Sequence, residues 1–310
     1  MRSFSAKLIV SRPILFPILS GMSFALIGVA YGFGKKAGIR PIEIMLICTG
    51  AGSLVFAGKR LRGRPTAPIP MRIWWWGVAG GLSQYLALLG IGRAMQLGPL
   101  SPVVCAGMLS FIPVIFYSVI RYQERLNLLK VCATAAGVGC IIVSAFTNSR
   151  DGMALTSLAG TLGYAAVLLV ILALNSICNI AVKTLGMGTQ PSQSNNSFLL
   201  VMYATFFVVA LADLLWQPSP NLSLEPLVLL GLLAAGGSIC GFSLLTICAG
   251  APASLVFTLN GISAIITAAL ISVLFLGEHI GVGWCATIGL GILSIVFGVV
   301  PDDSRASLQA

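Results

Sequence analysis

The sequence predicts an all-α membrane protein whose ten transmembrane helices form two inverted-topology repeats of five helices. Three observations predict it: the composition, the spacing of apolar segments and an internal repeat. Of the 310 residues, 57% are hydrophobic and 8% are charged, whereas soluble domains carry about 25% charged residues. A charged side chain at the centre of a bilayer costs about 2.5 kcal/mol or more. The chain must therefore keep its few charges outside the apolar segments.

The charged residues follow this rule. The acidic residues all fall in or beside the connectors between apolar runs: Glu43, Glu124, Asp151, Asp213, Glu225, Glu278, Asp302 and Asp303. The formal net charge is +10, but the basic residues cluster beside apolar segments and no aromatic residues are interleaved with them. Anionic lipid headgroups explain this charge better than a nucleic-acid partner does.

The eight cysteines all lie inside apolar runs, without a C-x-x-C pair or clustered histidines. We expect them to be small buried hydrophobic residues rather than disulfides or metal ligands, and we expect no cofactor. The first apolar run, from Ser11 to Phe33, exceeds the 7–15 residues typical of a signal-peptide core. We interpret it as a retained membrane span.

Ten apolar segments reach the ~17 residues that a helix needs to cross a bilayer. Gly and Pro residues in the connectors mark their ends. The predicted segments 1 to 10 are Ile14–Phe33, Ile42–Gly58, Ile73–Met95, Val103–Ile120, Leu128–Phe146, Leu162–Val182, Phe198–Trp216, Leu227–Cys248, Ala253–Leu276 and Val282–Val300.

The basic residues predict the orientation of these segments. The side that holds the N-terminus has thirteen of the eighteen Lys and Arg residues: Arg2, Lys7, Arg12, Lys59, Arg60, Arg62, Arg64, Arg72, Arg121, Arg125, Lys130, Lys183 and Arg305. The opposite side has only Lys35, Lys36, Arg40, Arg93 and Arg150. Because positive residues favour the cytoplasmic side, both termini should be cytoplasmic.

An internal repeat divides the chain. The stretch 98–139 matches the stretch 250–291: each has a proline turn, an apolar helix, a glutamate, Cys-Ala-Thr and then Gly-x-Gly. Corresponding residues lie 152–154 positions apart, as Glu124 and Glu278 do. The repeat therefore spans residues 1–150 and 151–310, with five segments in each half. An odd number of segments makes the second half enter the membrane in the opposite sense, an arrangement that many secondary transporters share.

Several residues give the chain a resemblance to a known family. A lysine ends the first helix of each half (Lys36 and Lys183), Pro113 lies within segment 4, and a glutamate follows the fourth helix of each half (Glu124 and Glu278). In these features the chain resembles the drug/metabolite transporter superfamily, in its ten-helix branch with two EamA-type halves. The resemblance implies export or exchange of small metabolites, such as amino acids, through a cavity lined by helices 1, 3, 4, 6, 8 and 9.

The chain also departs from the family pattern. No tryptophan precedes Trp74, so the tryptophan common in the first helix is missing. Nothing basic lies between Arg40 and Lys59, where the family often has an arginine, and segment 9 has no proline matching Pro113. These departures leave the architecture in place but assign no subfamily and no solute.

Polar residues at helical spacing are the candidate solute ligands. Asn175, Asn179 and Lys183 stack on one stripe of segment 6 at i, i+4 and i+8, and an amide that faces lipid would be unsatisfied. The stripe therefore faces either the solute or a neighbouring helix, through an interhelical hydrogen bond. The same alternatives apply to the other candidates, which are Asn260, Ser263 and Thr267 in segment 9, Gln84 and Tyr85 in segment 3, and Ser23 and Tyr31 in segment 1.

Other patterns have simpler interpretations. The Gly-x-x-x-Gly pairs at 28–32, 77–81 and 237–241 predict close helix packing. Adjacent Gln84 and Tyr85 point about 100° apart on a helix, so we expect only one of them to face a cavity. For Glu124 we expect helix capping or contact with Arg121, Arg125 or Lys130.

Transport is the function class that these patterns favour. An intramembrane enzyme needs a nucleophile with a base, paired carboxylates or metal ligands within the bundle, and the sequence has one histidine and no mid-segment carboxylate. A receptor or scaffold is the other alternative, for which a repeat across the midplane has no evident use. We expect a transporter of a small polar solute in the cytoplasmic membrane, most typically a bacterial inner membrane, and a homodimer is compatible with the sequence. The solute, the direction of transport and the coupling ion stay open.

Overall fold

The structure is a computed structural model that describes residues 2–62, 68–97, 103, 106–124, 128–147, 158–187, 191–217, 224–276 and 281–299. All regular secondary structure in these residues is helical. The helices are α1 (Arg2–Lys36), α2 (Pro41–Arg62), α3 (Met71–Leu97), α4 (Phe111–Tyr122), α5 (Leu128–Thr147), α6 (Leu158–Gly186), α7 (Pro191–Trp216), α8 (Leu224–Cys248), α9 (Ala253–Ile271) and α10 (Val282–Val299), with a π-helical stretch, Ser272–Leu276, after α9.

The chain is a multi-pass α-helical membrane protein. Six helices within the described residues are long and apolar enough to cross a bilayer: Ile14–Lys36, Pro41–Arg62, Leu162–Gly186, Ser194–Trp216, Leu224–Cys248 and Ala253–Phe275. Nine of the ten predicted segments each coincide with a helix, while the fourth is interrupted. Ten crossings remain a prediction, because only these six satisfy the criterion of length and hydropathy.

Two helices start seven or more residues before their predicted positions. The first helix begins at Arg2 rather than Ile14, and α7 begins at Pro191, seven residues before the predicted start at Phe198. Hydropathy marks only the apolar part of a helix, so polar extensions go undetected. Proline at the first position of α7 costs no hydrogen bond, since the first amide groups of a helix have no partner within it.

Local sequence sets the turn between α1 and α2. Gly38 adopts a φ of +71°, a conformation that glycine reaches without strain. This lets Gly38 N donate to the Lys35 carbonyl and Ile39 N to the Gly34 carbonyl, the two bonds of a Schellman motif. On the other side of the turn, Glu43 Oε2 accepts from Arg40 N at 3.1 Å and so caps the start of α2.

Pro113 explains a break in the fourth segment. The sequence predicts a continuous helix over Val103–Ile120, whereas the structure has a turn at Leu109 and Ser110 and a new helix from Phe111. Pro113 has no N–H for the Leu109 carbonyl, which lies four residues earlier. That carbonyl accepts instead from Ile112 N at 3.0 Å. The helix α9, which has no matching proline, runs unbroken from Ala253 to Ile271.

Helices from the two halves of the sequence interleave. The most extensive contacts join α1 to α8 and α9, α3 to α6 and α7, α2 to α7 and α8, and α5 to α10. Residues 1–150 therefore pack mainly on residues 151–310 instead of forming a separate core.

Two predicted glycine pairs lie at these contacts. Gly77 packs on Val201 of α7, and a Cβ at Gly81 would lie 2.7 Å from the Met202 carbonyl oxygen. A Cβ at Gly237 would lie 2.5 Å from the Ser23 carbonyl oxygen of α1, and Gly241 packs on Phe24. Glycine lets each pair of backbones approach, as the sequence pattern predicts.

Candidate solute cavity

A cavity of about 140 Å³ lies between the two halves of the chain. Seven of its walls come from the helices α1, α2, α3, α6, α7, α8 and α9, and the eighth comes from the segment around the Leu109–Ser110 turn with the start of α4. One water molecule needs about 10–15 Å³ by this measure. The cavity therefore has room for a small solute.

The lining combines aromatic rings with uncharged polar groups. The polar lining residues are Tyr31, Thr49, Gln84, Ser110, Asn175, Asn179, Tyr203, Ser238 and Asn260, and the phenylalanines are Phe24, Phe111, Phe206, Phe242 and Phe257. No Asp, Glu, Lys, Arg or His occurs among the lining residues that the structure describes. Such a lining suits a solute that forms hydrogen bonds and carries an apolar portion.

One side of the cavity is built from two amides. Gln84 Nε2 on α3 donates to Asn175 Oδ1 on α6 at 2.9 Å, and Asn175 Nδ2 donates to the Ile171 carbonyl of its own helix at 3.1 Å. The side-chain carbonyl oxygen of Gln84 takes part in neither of these two bonds. The pair fixes the orientation of both amides, which a site for a small polar molecule requires.

The broken fourth segment supplies a second polar group. Asn179 Nδ2 on α6 donates to the Ser110 hydroxyl at 2.8 Å. The Ser176 hydroxyl lies 3.1 Å from the Ser110 carbonyl and 2.7 Å from the Leu172 carbonyl. Backbone outside a helix is tolerated at membrane depth where neighbouring groups satisfy it or where it lines a cavity, and the Ser110 turn meets both conditions. Discontinuous helices at the solute site are a recurrent feature of transporters.

Aromatic residues form another part of the lining. Tyr203 on α7 is hydrogen-bonded to Ser238 on α8 and stacks on Phe56 with ring centroids 5.5 Å apart. Phe242 meets Tyr203 edge-on at 6.1 Å and Phe24 edge-on at 4.9 Å. Rings held by several neighbours keep the shape of this wall fixed.

Five of the nine predicted solute ligands line the cavity: Tyr31, Gln84, Asn175, Asn179 and Asn260. They come from four helices, so the structure brings together residues that the sequence placed on separate stripes. Their contact with a solute stays a prediction.

The other four predicted ligands do not line this cavity. The Ser23 hydroxyl donates to the Leu19 carbonyl at 2.8 Å, and the Ser263 hydroxyl lies 2.9 Å from the Leu259 carbonyl. Both are hydrogen bonds from a serine side chain to the backbone of its own helix, which are common for serine. Tyr85 packs edge-on against Phe206 and lies close to Asp213, while Thr267 is half-buried away from the lining. Only Gln84 of the adjacent pair faces the cavity, as its spacing from Tyr85 predicts.

Sequence reasoning missed four polar lining residues: Thr49, Ser110, Tyr203 and Ser238. A signal existed for Tyr203, since a phenol in the middle of an apolar helix needs a hydrogen-bond partner. For Ser110 the signal was its place three residues before Pro113. Thr49 and Ser238 give no such sign, because an isolated hydroxyl often bonds its own helix, and Thr49 does donate to the Met45 carbonyl at 2.7 Å.

The family-motif residues that the structure describes lie outside the cavity lining. Lys36 is exposed at the end of α1, Pro113 lies within α4, and Glu278 is outside the described residues. Lys183 is buried near the end of α6, with its Nζ 3.4 Å from Glu124 Oε1. Glu124 thus pairs with a residue of another helix and also accepts from Ala253 N at the start of α9, as helix capping predicts. Arg125 and the Lys130 side chain lie outside the described part of the chain.

Two other acids also lie away from the lining. Glu43 is 4% exposed, in the first turn of α2, with its Oε1 2.7 Å from Arg40 Nε. Asp213, near the end of α7, lies close to Tyr85. Neither carboxylate lines the cavity. Among the described residues there is also no group of three or more His, Cys, Asp or Glu side chains that would hold a metal ion.

Comparison with known proteins supports the fold alone. No protein-family model matches the sequence, and no curated protein matches it. A solved structure described as "Crystal structure of protein" matches with a TM-score of 0.67 at 14% sequence identity, over 97% of this chain and 99% of that chain. The two chains share a fold along nearly their whole length.

Proposed function

We propose that this protein is a secondary transporter that moves small polar metabolites, such as amino acids, across the cytoplasmic membrane by alternating access. The observation that carries the proposal is the uncharged, amide-lined cavity between the two halves of a multi-pass membrane protein. A transporter needs such a site near the middle of the bundle, where it opens to each side in turn.

The packing of the helices supports inverted-topology repeats. If the second half is the counterpart of the first, then α6, α8 and α9 are the equivalents of α1, α3 and α4. The contacts follow this exchange: α1 packs on α8 and α9, and α6 packs on α3 and α4. A two-fold relation between the halves would place the cavity at their shared interface. The proposal includes this two-fold relation, ten membrane crossings and cytoplasmic termini.

The lining indicates the solute class. Amides and hydroxyls donate and accept hydrogen bonds without carrying charge, and the aromatic wall provides apolar contact. A neutral or zwitterionic solute fits this lining, and amino acids or related metabolites are our leading candidates. Export or exchange, and membership of the drug/metabolite transporter superfamily, follow the sequence motifs and form part of the same proposal.

A solute screen with purified protein tests the proposal. Proteoliposomes would be loaded with a mixture of amino acids and related metabolites, and counterflow of each solute would be measured by mass spectrometry against protein-free liposomes. We expect saturable exchange of at least one neutral or zwitterionic solute. Exchange no faster than in protein-free liposomes for every solute, with the protein folded by thermal melting, would count against transport of this class.

A further inference from the structure

A buried ion pair joins three parts of the chain at one end of the bundle. The Lys183 side chain, near the end of α6, is 1% exposed, and its Nζ lies 3.4 Å from Glu124 Oε1, two residues beyond α4. The same Nζ donates to the Ala251 carbonyl, in the turn between α8 and α9, at 2.6 Å. Ala253 N at the start of α9 lies 3.4 Å from Glu124 Oε1. One lysine and one glutamate thus connect α4, α6 and the α8–α9 turn.

Neighbouring contacts close the same end. The Thr184 hydroxyl on α6 lies 3.3 Å from the Tyr117 hydroxyl on α4. Gly186, two residues later, packs directly on Ala249, with no room for a Cβ between them. The α8–α9 turn is therefore held against the end of α6 by the ion pair and by close packing.

The pair lies just beyond the cavity. Asn179, one turn before Lys183 on α6, lines the cavity, and so does Phe257, one turn after Ala253 on α9. Four residues of helix correspond to a rise of about 6 Å. The ion pair therefore lies about one helical turn from the cavity, between it and the ends of α6 and α8.

The two partners differ in their access to water. The Glu124 side chain is 18% exposed, whereas that of Lys183 is 1% exposed. A carboxylate in contact with water can leave without a large desolvation cost, but a buried ammonium left without its partner is strongly destabilising. Separation of the pair would therefore require hydration of both the carboxylate and the lysine.

We propose that Lys183 and Glu124 form a latch that holds this end of the cavity closed, and that the pair separates when the cavity opens there. The role of the latch rests on the proposed transport function, because only a transporter requires an end that opens. The opening itself can be measured without any solute.

A native cysteine reports on the latch. Cys248 is the last residue of α8, three residues before Ala251, and it is 6% exposed. Its modification by a charged, water-soluble maleimide would be timed by peptide mass spectrometry on the full-length protein in lipid nanodiscs. Cys178, fully buried on α6 with its Sγ 3.4 Å from Met202 Sδ, provides an internal measure of intact folding.

Two variants break the pair in different ways. Glu124→Gln keeps an acceptor for Ala253 N but leaves the Lys183 charge unbalanced, whereas Lys183→Met removes that charge altogether. We expect each to speed modification of Cys248 about tenfold or more, as the loss of a charge-assisted hydrogen bond implies. Glu225→Gln, an exposed acid in the first turn of the same helix α8, is the matched control and should leave the rate unchanged.

The outcomes separate the latch from other roles. Faster modification of Cys248 with Cys178 still protected, in either variant, supports the latch. Rates equal to that of Glu225→Gln in both variants would overturn it. Equal acceleration at Cys178 and Cys248 in both variants would overturn it too, because the pair would then stabilise the whole fold rather than one end. The solute screen decides the transport proposal independently, since Cys248 reactivity requires no solute.

Discussion

Gln84 on α3 and Asn175 on α6 are joined by a hydrogen bond of 2.9 Å from Gln84 Nε2 to Asn175 Oδ1. The two residues come from opposite halves of the sequence and line the same cavity. For Asn175 the sequence left two alternatives, an interhelical bond or contact with a solute; the structure shows the interhelical bond, and contact with a solute stays a prediction. The bond fixes the orientation of the Asn175 amide, and α6 forms part of the cavity wall.

The amides of the cavity lining should control solute affinity. Asn260→Ala removes a lining amide of α9, and Asn179→Ala removes the donor to Ser110. We expect each to raise the half-saturation concentration for exchange about fivefold to tenfold, the effect of losing about 1 kcal/mol of hydrogen bonding. Counterflow in proteoliposomes measures this.

Ser263→Ala is the matched control for Asn260→Ala, because Ser263 lies on the same helix but bonds its own backbone. It should transport like the parent protein. Unchanged affinity in Asn179→Ala and Asn260→Ala would mean that these amides only join helices.

Adjacent glycines on α8 should respond oppositely to alanine. A Cβ at Gly237 would lie 2.5 Å from the Ser23 carbonyl oxygen, whereas a Cβ at Gly236 would have no atom within 4 Å. Gly237→Ala should destabilise the protein by about 1–3 kcal/mol through overpacking. Gly236→Ala should be neutral, or stabilising by up to about 1 kcal/mol, because alanine favours the helix.

Thermal unfolding in detergent, followed by tryptophan fluorescence, compares the two glycine variants. A melting temperature for Gly237→Ala at or above that of Gly236→Ala would contradict the close contact between α1 and α8.

Transport should not depend on a proton gradient. No carboxylate occurs among the described residues that line the cavity, and Glu43, although buried, is paired with Arg40 at the start of α2. We therefore expect facilitated diffusion or solute exchange, in which unlabelled solute inside the vesicles accelerates uptake and a pH gradient alone drives no accumulation.

The variants Glu43→Gln and Asp213→Asn test two of the acids that lie in the helices. Glu43→Gln should lower thermal stability, since it loses the ion pair with Arg40, but should not change the response to pH gradients. Accumulation driven by a pH gradient and abolished by either variant would show that one of these acids takes part in the pathway.

The distribution of basic residues predicts ten crossings with both termini cytoplasmic. A fluorescent protein fused after residue 310 should fluoresce, because such reporters fold in the cytoplasm, and phosphatase fused near Arg150 should be active. Phosphatase activity at residue 310, or fluorescence at the Arg150 connector, would contradict the predicted topology.

The candidate site was only half predictable from the sequence. Asn175 and Asn179 were found because polar groups at i and i+4 on an apolar helix must face protein or water. Ser23 and Ser263 also share a helical face with other candidates, but each bonds its own helix. Spacing places residues on a common face of one helix, whereas the rotation of that helix against its neighbours decides what the face meets.

The sequence by itself determined the membrane class, the positions of the helices and the close packing at Gly77, Gly81, Gly237 and Gly241, because hydropathy, breakers and residue size act locally. It also contained the cause of the break before Phe111, the missing N–H of Pro113. Only the tertiary structure decided that Tyr203 meets Ser238 and that Glu124 pairs with Lys183, since these contacts join helices far apart in the chain. Such pairings depend on how whole helices are placed and rotated, and the many weak contacts that set this placement leave no local pattern in the sequence.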